Sequence, residues 1–207
     1  MTAEPSPAAP GLRDRKKRQT RAALATAALR LVAERGLEQV TVEEISAAAD
    51  VSSRTFFNYF PSKEDALIGD QAVQSARFVA RVAEVPPQVP ALAAIRTALA
   101  EVIDEMQAER ELWLLRMTVV TQHPALLPRL VTVGAEAERA MIEVVAGRVG
   151  VSPEHGFPTL LTTVTGAAFR TAMLRWAAAG GTRSLADLVD EAFDALAAGL
   201  ADPGPKT

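Results

Sequence analysis

Residues 41–65 read TVEEISAAADVSSRTFFNYFPSKED, and this stretch decides the fold. Thr41 and Glu44 have the S/T-x-x-E spacing of a capping box, in which each side chain accepts a hydrogen bond from the other residue's backbone. A helix is therefore predicted to begin just after Thr41. This helix is short, because Asp50 follows quickly and tolerates the left-handed backbone of a tight turn.

A second short helix is predicted to follow the turn, with Ser52 as its N-cap and Ser53–Tyr59 as its body. Pro61 ends this helix, because proline lacks the N–H group that a helix interior needs. Ser62 then caps a further helix, which is expected to run to about Glu84. Two short helices joined by a tight turn are typical of a helix-turn-helix.

A long helix is predicted before this stretch, from about Arg15 to Arg35, and its first half is basic. The net charge of the whole chain is −3, which by itself does not indicate a nucleic-acid partner. An acidic body with one basic end does fit a protein that contacts phosphate at that end only. A solvated helix start is the alternative interpretation of the cluster alone. Its basic residues are Arg13, Arg15, Lys16, Lys17, Arg18 and Arg21, with Asp14 as the acid among them.

The rest of the chain is predicted to be helical, because Ala and Leu dominate and β-branched alternation is scarce. The predicted fold class is all-α, with a three-helix N-terminal helix-turn-helix domain, an all-helical body and about nine helices in total. A proline-rich linker at 85–90 precedes most of the body. The helices of the body are placed near 91–108, 109–122, 125–149, 158–179 and 185–201.

Several kinds of site and compartment are not expected. The chain has no cysteine, which excludes a disulfide framework and a thiolate metal site. Its two histidines, His123 and His155, are not spaced as metal ligands, so no metal and no cofactor is expected. The G-x-S-x-G, H-E-x-x-H and P-loop sequences are absent, so an enzyme is not expected. No signal peptide or bilayer-spanning run is found, so a cytoplasmic protein without membrane contact is expected.

Residues 41–46 and 51–64 together resemble the TetR family of bacterial transcriptional regulators. The pattern is a capping Thr, Ile-x-x-x-Ala, Val-Ser, Thr followed by aromatic residues, and then Ser-Lys-Glu, all in one register. Asp50 departs from the family pattern, which usually has Gly in this turn. The resemblance implies a DNA-binding domain at 13–65 and a helical effector-binding and dimerisation domain at 66–202. The Pro-, Ala- and Ser-rich composition of the start predicts a disordered tail at 1–12, and the Pro and Gly residues of the end predict a tail at 203–207.

The resemblance implies that Ser53–Tyr59 is a recognition helix in the major groove of operator DNA. Arg54 is suited to a guanine edge and Asn58 to an adenine edge. Phe57 lacks the hydroxyl that the family's usual Tyr gives to phosphate, so packing alone is expected of it. Helix N-termini are suited to phosphate, and the basic arm 13–21 would follow the backbone or enter the minor groove. The residues expected to contact DNA are Arg15, Lys16, Lys17, Arg18, Thr41, Ser52, Ser53, Arg54, Thr55, Phe57, Asn58, Tyr59 and Lys63.

Family members are usually repressors that bind palindromic operators as homodimers. The predicted helices 158–179 and 185–201 would form the dimer interface, with an intramolecular core face as the alternative. The central helices would enclose a hydrophobic or amphipathic effector that releases the DNA. The sequence of residues 54–65 is similar to that of a TetR branch in which fatty acyl-CoA effectors occur. The candidate effector residues are Trp113, Arg116, Met117, Val120, His123, Leu127, Thr163, Phe169 and Arg170.

A helical adaptor without DNA contact is the other functional class considered. Such a protein would not need a basic arm in front of a capped short helix. It would not need Arg54, Asn58 and Tyr59 on that helix either, or Lys63 after the helix. These residues together favour a DNA-binding regulator.

Overall fold

The computed structural model describes residues 12–200, and the regular structure in that range is helical. The all-α prediction is confirmed. Residues 1–11 and 203–207 of the predicted tails lie outside the described range, while Leu12 begins the first helix. The α-helices within 12–200 are α1 (Leu12–Arg35), α2 (Val42–Ala48), α3 (Ser53–Phe57), α4 (Lys63–Ile68), α5 (Gln71–Glu84), α6 (Ala91–Ala108), α7 (Arg110–Gln122), α8 (Leu127–Val149), α9 (Gly156–Ala178) and α10 (Leu185–Ala197).

The first compact unit comprises residues up to Gly69, in which α1 packs against α2 and α4. A 3-10 turn, Leu37–Gln39, connects α1 to α2. Large apolar side chains fill the centre of this unit and are withdrawn from solvent, which is the main source of its stability. These residues are Leu24, Leu29, Val32, Ile45, Phe56, Phe60 and Leu67.

The predicted single helix from Ser62 to Glu84 is wrong, because the chain breaks at Gly69. Gly69 has a φ of 71°, a left-handed conformation that glycine adopts without a steric penalty. Its N–H donates to the carbonyl oxygen of Asp65 and ends α4. The second compact unit begins at Asp70, so the division falls later in the chain than the predicted boundary at 65.

The second unit contains α5 to α10, with α9 packed along α10 and α8 packed against both α5 and α9. Trp176 and Phe193 are completely buried at its centre. Ser184 caps α10 by accepting a hydrogen bond from the N–H of Asp187, as the sequence predicts. A 3-10 turn, Pro124–Leu126, separates α7 from α8. Within residues 12–200, no helix is both long enough and apolar enough to cross a bilayer.

Arg148, near the end of α8, holds the end of α5 and the segment that follows it. Its Nη2 atom donates to the carbonyl oxygens of Val82 (2.9 Å) and Val85 (2.5 Å). Its Nη1 atom donates to those of Pro86 (2.8 Å) and Val89 (3.1 Å). The last carbonyls of a helix have no partner within the helix, so one guanidinium satisfies acceptors that would otherwise need water.

Candidate nucleic-acid interface

The start of α2 is fixed by the predicted capping box. The N–H of Thr41 donates to Oε2 of Glu44 at 2.9 Å, and the N–H of Glu44 donates to Oγ1 of Thr41 at 3.3 Å. Arg35, at the end of α1, forms a 2.8 Å ion pair with the same carboxylate. The hydrogen bond from the Thr41 backbone, with smaller effects from its hydroxyl and from Arg35, lowers the pKa of Glu44. The first turn of α2 is therefore anchored to α1.

The turn between α2 and α3 depends on Asp50, whose φ of 54° is left-handed. The prediction that Asp50 accepts this backbone in place of Gly is confirmed. The N–H of Val51 donates to the carbonyl oxygen of Ser46 across the turn, and the buried Ser46 hydroxyl donates to the carbonyl of Val42. These bonds close the turn and set the direction in which α3 starts.

The helix α3 is amphipathic, with one aromatic side chain directed inward and a polar side in solvent. Ser52 caps it, since its Oγ accepts from the N–H of Thr55 at 3.2 Å. Phe56 is completely buried, whereas the neighbouring Phe57 is 56% exposed. Arg54 and the C-capping Asn58 are also exposed. An exposed ring beside an exposed guanidinium and amide is the arrangement expected of a surface that binds a partner.

The other predicted contact residues of this segment lie on or beside the same surface. Ser53, Thr55 and Tyr59 are half-buried. Tyr59 follows α3 rather than lying within it, so the helix ends earlier than predicted. The hydroxyls of Thr41 and Ser52 already serve as helix caps.

The basic arm is the exposed first part of α1. The side chains of Arg13, Arg15, Lys16, Lys17 and Arg18 all extend into solvent. Spacing along a helix directs successive side chains around its axis, so these cations surround the first turns rather than form one line. The arm therefore presents positive charge to solvent in several directions.

Arg21 differs from the rest of the predicted basic arm, because it is directed towards the end of α3. Its Nη1 atom donates to the carbonyl oxygen of Tyr59, and its guanidinium carbon lies 4.1 Å from the centre of the Phe60 ring. Arg21 is half-buried and positions the end of α3 instead of projecting into solvent. No local pattern indicates this role, since Arg21 and Tyr59 are 38 residues apart.

Lys63 also has partners that the sequence did not predict. Its Nζ atom donates to the carbonyl oxygens of Leu37 at 2.7 Å and Val40 at 2.9 Å. The ammonium group that was expected to contact phosphate thus ties the start of α4 to the segment before α2. A lysine side chain with two backbone acceptors is a positioning group in this structure.

The predicted effector residues fall into two groups in the second unit. Trp113, Arg116, Met117, Val120, His123 and Phe169 are half-buried, whereas Leu127, Thr163 and Arg170 are exposed. A cleft of about 130 Å³ between α6 and α10 has none of these residues in its lining. It is bordered instead by Arg96, Asp104 and Asp190.

Two family models match the chain, and their boundaries follow the two units. Residues 24–68 match the model described as bacterial regulatory proteins, tetR family. Residues 89–201 match the MftR C-terminal domain. The chain belongs to the TetR family. TetR proteins are DNA-binding transcriptional regulators that respond to ligands, so the predicted functional class is confirmed.

Relatives within the TetR family agree with this assignment along most of the chain. The regulator TcmR of Streptomyces glaucescens is 33% identical over 92% of this chain and 88% of its own length. The putative mycofactocin biosynthesis regulator MftR of Mycobacterium tuberculosis is 29% identical over 90% of this chain and 93% of its own. Among solved structures, Thermus thermophilus FadR in complex with lauroyl-CoA matches this chain with a TM-score of 0.55 and 23% sequence identity. The match covers 90% of this chain and 100% of the FadR chain.

Proposed function

We propose that this chain is a cytoplasmic repressor that binds a palindromic operator through α3 and leaves it when a hydrophobic or amphipathic small molecule binds the second unit. The observation that carries the proposal is that α3 has a buried side and an exposed side. Phe56 is buried, while Arg54, Phe57 and Asn58 are exposed. A short helix anchored on one side and polar on the other fits the major groove. A DNA partner supports the proposed cytoplasmic location.

Base recognition is assigned to Arg54 and Asn58. A guanidinium donates bidentately to O6 and N7 of guanine, and an amide pairs with N6 and N7 of adenine. Ser53 and Thr55 supply hydroxyls to nearby base edges or phosphates of the DNA, while Phe57 and Tyr59 pack against the DNA backbone. Each bidentate contact discriminates against a wrong base by about 1–3 kcal/mol.

Phosphate binding is assigned to the basic arm and to the capped helix starts. Arg15, Lys16, Lys17 and Arg18 release counterions when they neutralise phosphates, which makes the affinity fall with salt. Beside the caps formed by Thr41 and Ser52, first-turn N–H groups and the helix dipole favour an anion. Lys63 contributes indirectly, by holding the segment in front of α2.

A homodimer through the last two helices is proposed because one recognition helix reads too few base pairs. On α9, Leu160 is 60% exposed and Leu174 is 51% exposed, and Phe157 is exposed as well. Large apolar side chains in solvent on a helix already packed against α10 are suited to burial against a second copy. A dimer would read two half-sites about 34–36 Å apart, or a multiple of that distance.

The effector site is proposed within the second unit, along α7. Trp113, Met117 and Val120 share one face by their spacing and are half-buried, as the walls of an apolar site are. T. thermophilus FadR, which shares the fold, was solved with lauroyl-CoA, so acyl-CoA is one effector to test. His123 and Phe169 are assigned to the same site, and the exposed Leu127, Thr163 and Arg170 would reach it only in a liganded form.

Footprinting on the DNA that flanks the protein's own gene tests the DNA-binding proposal. We expect protection of a palindrome, with an affinity that falls steeply as salt rises. Arg54→Ala should weaken binding and relax base preference at one position in each half-site. Arg30→Ala, which removes an exposed α1 cation outside the arm, is the matched control. Wild-type affinity and base preference in Arg54→Ala would refute the assigned recognition surface, and an adaptor would protect no DNA at all.

A further inference from the structure

Arg116 on α7 is a cation that has no hydrogen bond to any residue of the described range. Its side chain is half-buried, and its Nε atom is withdrawn from solvent without an acceptor. A guanidinium carries five N–H donors, and taking a charge out of water without replacing its hydrogen bonds is costly. The Nε donor of Arg116 is therefore left without the acceptor that a buried N–H requires.

Trp113, one turn earlier on α7, fixes the place of this guanidinium. The central carbon of Arg116 lies 4.9 Å from the centre of the Trp113 ring, and Trp113 itself packs against the core of the second unit. A cation–π contact is an attraction between the positive charge and the ring, and it does not require a hydrogen bond from the N–H donors of the guanidinium. The aromatic ring thus holds the group without occupying the donors that bind an anion.

The nearby carboxylates do not take the place of an acceptor. Burial lowers the pKa of Arg116, while the charges of Glu109 and Asp70 raise it through space without hydrogen-bonding to it. Glu109 precedes α7, and Asp70 precedes α5. The two acids act on the guanidinium through space only, and its buried Nε–H has no acceptor.

We propose that Arg116 binds an anionic oxygen group of the effector, which is therefore an amphipathic anion with an apolar body and a carboxylate or phosphate. This inference rests on the proposed effector site along α7 and names the chemical class of its ligand. The spacing of Trp113, Arg116, Met117 and Val120 places one cation among apolar side chains on a single face. The alkyl or aromatic part of the ligand lies along that face, and its anionic group accepts from the edge of Arg116.

Calorimetric titration of the full chain with three probes of equal alkyl length tests the proposal. Decanoate and decyl phosphate carry the two candidate anions, and 1-decanol is neutral. We expect the tighter anion to bind at least about tenfold better than 1-decanol, as a charge-assisted hydrogen bond implies. The anion that binds more tightly shows whether the effector carries a carboxylate or a phosphate. Arg116→Met should lose the preference, and Arg139→Met, which removes an exposed cation from α8, should keep it.

Three results in the titration would overturn the proposal: equal affinity of the wild-type chain for 1-decanol, a preference that survives in Arg116→Met, or no binding of either anion. The Tm without ligand gives a second test. A cation kept for a ligand stabilises the free protein little, so Arg116→Met should melt within about 2 °C of the wild type or above it. A markedly lower Tm than that of Arg139→Met would show a structural role and also overturn the proposal.

Operator binding separates this inference from the proposed function. If 1-decanol releases operator as readily as decanoate does, the proposed function stands and the anionic group is wrong. If the wild-type chain protects no operator, the proposed function fails, whatever head-group preference the titration shows.

Discussion

The Nζ atom of Lys63 lies 2.9 Å from the carbonyl oxygen of Val40, so the first residue of α4 holds the residue that precedes the Thr41 cap. Val40 is itself buried, and Lys63 donates to Leu37 as well. One side chain therefore joins the start of α4 to the 3-10 turn and to the start of α2. The expected consequence is that Lys63 influences DNA binding through position rather than through its charge.

Lys63→Met should weaken operator binding while leaving its dependence on salt unchanged. A lysine that contacts phosphate contributes about one unit to the slope of log K against log salt, and a lysine that only positions the backbone does not. Lys17→Met, which removes an exposed cation of the basic arm, should lower the slope by about one unit. Band-shift titrations at several salt concentrations measure both slopes. A lower slope in Lys63→Met would mean that Lys63 contacts a phosphate directly.

Asp50→Gly should leave the protein as stable as the wild type or make it more stable, whereas Asp50→Ala should destabilise it. The φ of 54° at this position costs a residue with a Cβ atom about 1 kcal/mol, and glycine is exempt. Urea denaturation followed by circular dichroism measures the difference. Asp50→Ala as stable as Asp50→Gly would show that the aspartate side chain, rather than the backbone conformation, governs the turn.

Gly181→Ala should be more destabilising than Gly180→Ala, although both residues have a positive φ. A Cβ at Gly181 would lie 2.9 Å from Cδ1 of Leu114 and 3.2 Å from Cδ of Arg110, whereas a Cβ at Gly180 would meet nothing within 4 Å. Both variants carry the backbone penalty, and overpacking adds about 1–3 kcal/mol at Gly181 alone. Their melting temperatures give the comparison. Equal values would mean that Leu114 and Arg110 move aside freely.

Glu191 should make stability depend on pH on the acid side. Hydrogen bonds from Arg183 and then Arg175 lower its pKa below the ordinary value of 4.5. A carboxylate whose pKa is lowered by folding stabilises the folded state above its unfolded pKa, and this contribution is lost as pH falls through the folded value. Glu191→Gln should therefore have a lower Tm than the wild type near neutral pH.

The difference in Tm should shrink as the pH falls from the unfolded pKa of Glu191 through its lowered folded pKa, because only below that folded value is the residue protonated in both states. Glu143→Gln, which alters an exposed α8 carboxylate, is the control and should show no such convergence. A constant difference between the wild type and Glu191→Gln down to acid pH would mean that charge pairing is not its cause.

The parts of the fold that the sequence predicts are those set by neighbouring residues. Thr41 and Glu44 are three positions apart, so their reciprocal bonds are visible in the order of residues alone. The same holds for the left-handed Asp50 and for the burial of Phe56 beside an exposed Phe57. Such features depend on helix geometry and local chemistry, which are fixed before tertiary packing.

The parts that were missed depend on partners distant in the chain or on a balance between competing signals. Lys63 and Leu37 are 26 residues apart, so no local pattern reveals their bond. The cap at Ser62 indicates where a helix begins but not where it ends, and the left-handed Gly69 divides the single helix that was predicted. On α7 the spacing indicates a shared face, but only packing shows that the Nε atom of Arg116 on that face is buried without an acceptor.

Within the second unit, the hydrogen bonds of Arg148 couple α8 to the end of α5 and to the segment that follows it. Four carbonyl oxygens, from Val82, Val85, Pro86 and Val89, accept hydrogen bonds from this one side chain of α8. A small molecule that displaces α8 would therefore pull on the end of α5 or break some of these hydrogen bonds. Arg148 is thus a direct mechanical link between the helix that ends near it and the segment that leads into α6.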